Sequence, residues 1–146
     1  MKREIKFKKI FFVILLLAIL PIVLRAYVVR QIEDSSPSND FVLSPAKLDL
    51  TLDPGSSEEV TLFVTNRMER RATFELSVED VGSSDTDAVL LLGNDRGPYS
   101  LKDFLSFSEK TFTLEQGEQA HVPVTVRIAR DATPGGLYGS VIISTK

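Results

Sequence analysis

The chain has 146 residues, enough for one domain of ordinary size. It contains one His and neither Cys nor Trp, which excludes a disulfide framework, a thiol nucleophile and a thiolate metal site. Charge is unevenly spread, because residues 31–146 hold 10 Lys and Arg against 19 Asp and Glu, a net charge of −9. Phosphate binding requires clustered positive charge, so no nucleic-acid partner is expected.

The first 29 residues have the features of an export or anchoring segment. A basic head over residues 2–9 precedes the uncharged apolar run 10–24. A core helix would have polar residues at every third or fourth position, and this run has none. We therefore expect a signal anchor or a signal peptide over residues 1–29, with the N-terminus in the cytoplasm and the rest outside the cell membrane.

Anchor and cleaved signal remain alternatives. The run 10–24 would reach roughly 22 Å as a helix, short of the ~30 Å hydrocarbon core and typical of a signal peptide. Extension through Tyr27–Val29 with Arg25 at the headgroups would lengthen it to about twenty residues and make an uncleaved anchor. The polar stretch 30–40 (RQIEDSSPSND) then predicts a flexible tether, since it shows no hydrophobic period.

From Phe41 to Lys146 the sequence predicts strands separated by turns. Apolar residues recur at every second position, which is typical of strands with one buried face. The predicted strands are Leu48–Leu52, Val60–Thr65, Phe74–Glu79, Phe112–Leu114, Val122–Ile128 and Leu137–Thr145, with weaker candidates at Ala88–Leu92 and Phe104–Phe107. No helix of three turns is visible after Arg30. The fold class predicted for residues 41–146 is all-β, an immunoglobulin-like antiparallel β-sandwich of about seven strands.

Turn and breaker residues refine this prediction. Pro54-Gly55 and Gln116-Gly117 each predict a tight turn before a strand. Pro123 lies within a predicted strand and cannot donate to a ladder, so it is expected at an edge or a bulge. Gly139, inside the last strand, indicates a bulge or a close backbone approach.

Three stretches together resemble a known family. They are residues 44–66, with the pattern S-P-x-K-x-x-L-x-L-x-P-G, residues 99–118, and residues 132–141, with P-x-G-x-Y-G. In this order and spacing they resemble the N-terminal immunoglobulin-like domain of bacterial WxL-interacting cell-surface proteins, and more loosely pilus-chaperone and NPCBM-associated sandwich domains. The resemblance implies an extracellular, membrane-tethered domain associated with peptidoglycan binding. Family members usually continue into a second immunoglobulin-like domain and a C-terminal membrane helix, whereas here the predicted anchor precedes the domain.

The candidate binding residues lie in the long Gly-, Ser- and Asp-rich loop from Gly82 to Leu101 and beside the last strand. Long loops on a rigid sandwich often carry binding. The residues predicted to bind are Asp85, Asp87, Asn94, Asp95, Arg96, Tyr99 and Tyr138. Tyr138 is either a corner tyrosine whose hydroxyl bonds the backbone or a ring that stacks on a ligand. The acids Glu79, Asp80, Asp85, Asp87 and Asp95 fit no EF-hand spacing, so a solvated acidic loop is preferred to a Ca²⁺ site.

The sequence offers no catalytic constellation. His121 lies on the polar side of its strand, without a local nucleophile or orienting carboxylate, and is expected to face solvent. The chain is therefore predicted to be non-enzymatic and without cofactors. The preferred hypothesis is a membrane-anchored extracellular domain that binds cell-wall peptidoglycan or a surface protein. The alternative is an assembly or chaperone-like module that accepts a partner strand at an open sheet edge.

Overall fold

The computed structural model describes residues 27–33, 36–83 and 89–146. All regular structure in these residues is β-strand. The strands are β1 (Val28–Gln31), β2 (Phe41–Ser44), β3 (Ser57–Asn66), β4 (Ala72–Glu79), β5 (Val81–Ser83), β6 (Val89–Leu91), β7 (Leu105–Phe107), β8 (Thr111–Leu114), β9 (Glu118–Arg127) and β10 (Ser140–Thr145). The prediction of an all-β chain is confirmed for the described part.

Two antiparallel sheets make up the body of the domain. The larger sheet has the order β1-β9-β3-β2, and β7 also pairs with β9, on the same side as β1. The smaller sheet has the order β10-β4-β8. A separate hairpin joins β5 to β6. Alternate residues of β3 and β9 face inward, among them Val64 and Val122, and both are fully buried. They pack against Phe74 and Leu114 of the smaller sheet, so the core lies between the sheets as a sandwich requires.

Asn66 closes one end of this core. It ends β3 and is fully buried. Its Nδ2 donates to the carbonyl oxygens of Arg70 and Leu114 at 2.9 and 3.1 Å, and its Oδ1 accepts the Met68 amide at 3.0 Å. A buried amide with its partners satisfied therefore fixes the connection from β3 to β4.

Most predicted strands are present, but the prediction for Leu48–Leu52 is wrong. This segment forms no strand, and Leu48 and Leu50 are exposed, 45% and 36% respectively. The alternating pattern is real, but no neighbouring strand in the described chain pairs with it. The turns at Gly55 and Gly117 are confirmed, with φ of 85° and 77°.

Pro123 lies in the interior of the central strand β9, not in an edge strand. His121, two residues before it, pairs with Val28, the first residue of β1, and Val124 pairs with Phe107 of β7. The Pro123 carbonyl accepts the Ser108 amide at 3.1 Å on the β7 side. In an antiparallel strand the amide and carbonyl of one residue face the same side, so the missing N–H falls in the gap between β1 and β7. The prediction of an edge strand or a bulge is therefore wrong, and the gap between β1 and β7 explains why a proline is tolerated within β9.

The chain before Phe41 contributes to the sandwich, which differs from the free tether expected over residues 30–40. β1 pairs with β9 over Val28–Gln31, and the Tyr27 ring lies 5.4 Å from that of Phe112. The Ser38 amide donates to the Arg67 carbonyl at 3.0 Å. Tyr27–Val29 are thus part of the β-domain and not an extension of the apolar run. The anchor predicted over residues 1–29 otherwise lies outside the described residues.

Candidate functional site

The loop that follows the β5–β6 hairpin is organised by Asp80. This residue stands between β4 and β5 and is fully buried. Its Oδ1 accepts the Ser100 hydroxyl at 2.9 Å and its Oδ2 accepts the Gly97 amide at 3.1 Å. Its own carbonyl accepts the Leu92 amide at 2.9 Å. One acid therefore ties the beginning and the end of the loop to the end of β4.

The environment of Asp80 favours its charged form. Burial alone raises the pKa of a carboxyl group. The hydrogen bonds from Ser100 and Gly97 and the positive charge of Lys102 outweigh burial and hold the pKa of Asp80 below its ordinary value. Asp80 is consequently a carboxylate at neutral pH, and its charge is part of what keeps the loop in place.

Two basic side chains complete the loop. Lys102 Nζ donates to the carbonyl oxygens of Gly93 and Asp95 at 2.7 and 3.3 Å. Arg96 forms a two-pronged ion pair with Asp103, with one Nη2···Oδ1 distance of 2.9 Å. The hydrogen bond from Arg96, followed by its charge, lowers the pKa of Asp103, while partial burial opposes this. Arg96 is thus engaged within the domain, and its charge is largely matched.

Tyr99 and Tyr138 stand side by side on the surface above this loop. They are 62% and 59% exposed, and their ring centroids lie 6.4 Å apart at an interplanar angle of 88°. The Tyr138 amide donates to the Tyr99 carbonyl at 2.8 Å, and the Leu101 amide donates to the Tyr138 carbonyl at 3.2 Å. The two backbones are therefore joined, and the exposed pair rests on fixed main chain. We call Tyr99 and Tyr138 the tyrosine pair.

Gly136 and Gly139 explain how the P-x-G-x-Y-G stretch presents Tyr138. A Cβ added at Gly136 would lie 2.7 Å from the Tyr138 hydroxyl, so a larger residue there would displace the end of this ring. A Cβ at Gly139 would lie 3.0 Å from the Leu101 Cβ, which confirms the close approach predicted there. No hydrogen bond joins the Tyr138 hydroxyl to another of the described residues, and its ring is largely exposed. The corner-tyrosine hypothesis is not supported there, and an exposed stacking ring is the better description.

The other predicted site residues fall into two groups. Asn94 and Asp95 are exposed in the turn after β6, on the loop that carries Tyr99. Asp85 and Asp87 lie outside the described residues.

Asp80 was predicted to belong to a solvated acidic loop, with a Ca²⁺ ligand as the alternative. The solvated interpretation is wrong for this residue, because Asp80 is buried and binds Ser100 and Gly97. No sequence signal separates Asp80 from its neighbour Glu79, since both acids lie between Val78 and Val81.

His121 and the acidic residues form no second site in the described chain. His121 projects from the outer face of β9 as predicted, but it is half-buried, with its ring 4.8 Å from that of Phe63 and Nε2 3.0 Å from Gln119 Oε1. Burial, and then the charge of Arg30, lowers its pKa. Across residues 27–33, 36–83 and 89–146, no three His, Asp or Glu side chains come together as a metal site would need. Over the same ranges, no helix has the length and apolarity to cross a membrane.

Comparison with known proteins gives a distant likeness among solved structures. No family model matches the chain, and no curated protein matches it. Among solved structures, the chain is similar to the ASH or PapD-like domain of human CEP192 (PapD-like domain 7), at 20% identity and a TM-score of 0.43. That match covers 64% of this chain and 63% of the other, so it spans less than two thirds of that domain.

Proposed function

We propose that this chain is a non-enzymatic binding domain of immunoglobulin-like type that attaches to cell-wall peptidoglycan through the tyrosine pair. The single observation that carries the proposal is the exposure of two adjacent tyrosine rings on hydrogen-bonded main chain. A sugar ring has an apolar face of C–H groups and a rim of hydroxyls. Tyrosine matches both, because it offers a large apolar body with a polar tip and loses little conformational entropy on binding.

The surroundings of the pair suit a polymer of sugars. Asn94 and Asp95 are exposed on the same loop, and their side-chain oxygens and amide can exchange hydrogen bonds with hydroxyl groups. Asp80 holds this loop to β4, so little ordering is required on binding. The exposure of these rings and polar side chains fits adhesion to an extended surface better than enclosure of a small molecule.

The proposed location follows from the N-terminal sequence and from the family resemblance. The basic head and the apolar run 10–24 support membrane targeting, with the domain on the outer side of the membrane. We place the domain close to the membrane, since β1 begins at Val28 and leaves little free chain after the apolar run. The resemblance to WxL-interacting proteins supports the cell wall as the binding partner.

Co-sedimentation of the full chain with purified insoluble peptidoglycan tests this proposal. We expect saturable retention, and we expect Tyr138→Ala to weaken it roughly tenfold, equivalent to about 1.4 kcal/mol. Leu90→Ala is the matched control, because Leu90 is an exposed apolar side chain on β6, 51% exposed, outside the pair. Equal retention of Tyr138→Ala and wild type, or no retention of either, would reject the glycan function.

A further inference from the structure

β1 is attached to the sandwich by a short ladder. It pairs with β9 over the four residues Val28–Gln31, whereas β3 pairs with β9 over nine. Val28 is 56% exposed, and Val29 is the only residue of β1 that is partly buried against the core. Segments with few buried apolar contacts open locally before the rest of a domain unfolds. A modest change in free energy is therefore enough to open β1.

The register places His121 beside β1 on the outer face of the larger sheet. His121 pairs with Val28 on one side and with Phe63 of β3 on the other. Directly opposite residues of an antiparallel pair project to the same face, so these three side chains form one row. The next row begins with Arg30 of β1, two residues after Val28. Arg30 thus lies diagonally across from His121.

The contacts of His121 suit its neutral form. Its ring lies edge-to-face with Phe63, with the centroids 4.8 Å apart, and Nε2 lies 3.0 Å from Gln119 Oε1. Gln119 Nε2 donates to the Thr65 hydroxyl oxygen at 2.8 Å, so the amide oxygen of Gln119 is directed to the histidine. A neutral imidazole with its proton on Nε2 donates to that oxygen. His121 therefore needs no positive charge to make its hydrogen bond.

A proton on His121 is unfavourable while β1 is in place. Burial, and then the charge of Arg30, lowers the pKa of His121 in the folded chain. A state in which the ring is exposed and Arg30 has moved away binds the proton more tightly. The stability that neutral His121 gives to the closed state is thus complete above about pH 6.5 and declines as the pH falls below it.

The charged groups around His121 do not oppose this effect. Besides Arg30, the outer faces of β3 and β9 carry Glu59, which pairs with Thr125 four residues along β9, and Arg127 two residues further. Glu109, which follows β7, turns toward β8, where its carboxylate accepts the Thr111 amide at 3.5 Å. Among the described residues, no carboxylate therefore lies beside His121 to stabilise its charged form.

We propose that protonation of His121 opens β1 from β9, so that β1 is a pH-sensitive strap on the larger sheet. Opening exposes the imidazolium to water and separates it from Arg30, at the cost of a four-residue ladder. β3 has a ladder of nine residues and a buried core face, so it stays paired. This device is independent of the tyrosine pair and of peptidoglycan binding.

Opening of β1 would lengthen the chain that leads into the domain. Ser38 stays attached, because its amide donates to the Arg67 carbonyl at 3.0 Å and Arg67 forms an ion pair with Asp40. Residues 28–37, fully extended, would span roughly 33 Å. Acid would thus move the sandwich away from the membrane, and this consequence alone rests on the location given under the proposed function.

Amide hydrogen exchange of the full chain in detergent micelles, between about pH 7.5 and about pH 5, tests the proposal. The Ile32 amide donates to the Gly117 carbonyl at 2.9 Å, so by alternation the amides of Arg30 and Val28 also bond to β9. After correction for intrinsic rates, we expect the protection of these three amides to fall roughly threefold as the pH drops below about 6.5.

Two amides of the β3–β9 ladder report on the rest of the sheet. Leu62 and Val122 pair in that ladder, and both residues are buried. Their protection should stay constant over the same pH range. A parallel loss of protection at Leu62 and Val122 would mean unfolding of the whole sheet and would overturn the proposal.

Three variants separate the charge of His121 from other effects of acid. His121→Gln stays neutral and should abolish the pH-dependent change at Val28 and Arg30. Arg30→Gln should reduce the change, because burial still acts on the histidine. Arg127→Gln is the matched control, since it is the same substitution on the same face, six residues along β9 from His121. It should behave as wild type.

Constant protection of the β1 amides in the wild type would overturn the proposal, whether or not the His121 ring signals titrate. If the ring titrates alone, the imidazolium reaches water without opening β1. A wild-type change that persists in His121→Gln would also overturn it, because another group would then be responsible. Loss of peptidoglycan retention at neutral pH would reject the proposed function and leave this inference unaffected.

Discussion

Among single residues, Asp80 has the greatest influence on the site, because one buried carboxylate receives the bonds that fix the loop. We predict that Asp80→Asn loosens the loop while the sandwich stays folded. An Asn in the same place can accept the Gly97 amide and donate to the Ser100 hydroxyl, but it carries no charge to strengthen these bonds or to attract Lys102. The measurement is amide exchange at Gly97, which should become at least tenfold faster in the variant.

The same residue sets a pH dependence. Because the pKa of Asp80 is lower in the folded chain than in the unfolded chain, its contribution to stability is complete above about pH 4 and declines as pH falls through the lowered value. Exchange at Gly97, corrected for intrinsic rates, should therefore rise below about pH 4 in the wild type. Asp80→Asn should lose the part of this rise that is due to Asp80 and keep the part due to Asp103, which pairs with Arg96 beside Gly97. Identical profiles for the two proteins would contradict the role given to Asp80.

Gly135 and Gly136 provide a matched test of how Tyr138 is held. A methyl group at Gly136 would meet the end of the Tyr138 ring, whereas nothing lies within 4 Å of a Cβ at Gly135. We predict that Gly136→Ala displaces the ring and weakens peptidoglycan binding several-fold, with a change in unfolding free energy within about 0.5 kcal/mol. Gly135→Ala should bind as wild type. Equal binding by both variants would show that the position of the Tyr138 ring is unimportant.

Among the structural elements, the unpaired segment 47–52 and strand β3 have similar patterns but different burial. We predict that Leu48→Ala, in the exposed segment, changes the unfolding free energy by less than about 0.5 kcal/mol. Leu62→Ala, the same chemical change in β3 at a side chain 4% exposed, should cost about 2–5 kcal/mol. Urea denaturation of the two full-length variants measures both values. A comparable loss in Leu48→Ala would mean that segment 47–52 is packed.

These two elements also show how far the sequence can predict the fold. Strands β3, β4 and β9 are long, strongly alternating and buried on one face, so period alone predicted them. Segment 47–52 has the same period, but a ladder needs a neighbour, and sequence alternation does not report whether one is present. β1 was missed for the opposite reason, since Val28 and Val29 are continuous with an apolar run and Arg30 begins a polar one. A strand of only four residues is too short for its period-two alternation to be recognised in the sequence.

The candidate site was predictable in its exposed residues and not in its buried one. Tyr99 and Tyr138 were selected separately, from a long loop and from a glycine-rich approach to a strand. Their proximity depends on the backbone bonds between them, which connect positions far apart in sequence. From the sequence alone, Asp80 cannot be distinguished from an acid of an exposed loop. Only the packing of β4 against its neighbours shows that it is buried and that its two oxygens bind main chain and Ser100.

At the scale of the whole molecule, the tyrosine pair is connected to the sandwich through β10, which begins two residues after Tyr138. The proposed glycan site is this pair, whose rings and hydroxyl groups suit sugars.

The central claim, that the tyrosine pair is the peptidoglycan-binding surface, is tested most directly by NMR titration of the full chain in micelles with soluble peptidoglycan fragments. We predict saturable shifts in the amide signals of Tyr99, Ser100, Tyr138 and Gly139. The signals of Phe63 and His121, on the outer face of the larger sheet, should stay unchanged. Shifts confined to Phe63 and His121, or no shifts at millimolar fragment, would contradict the claim.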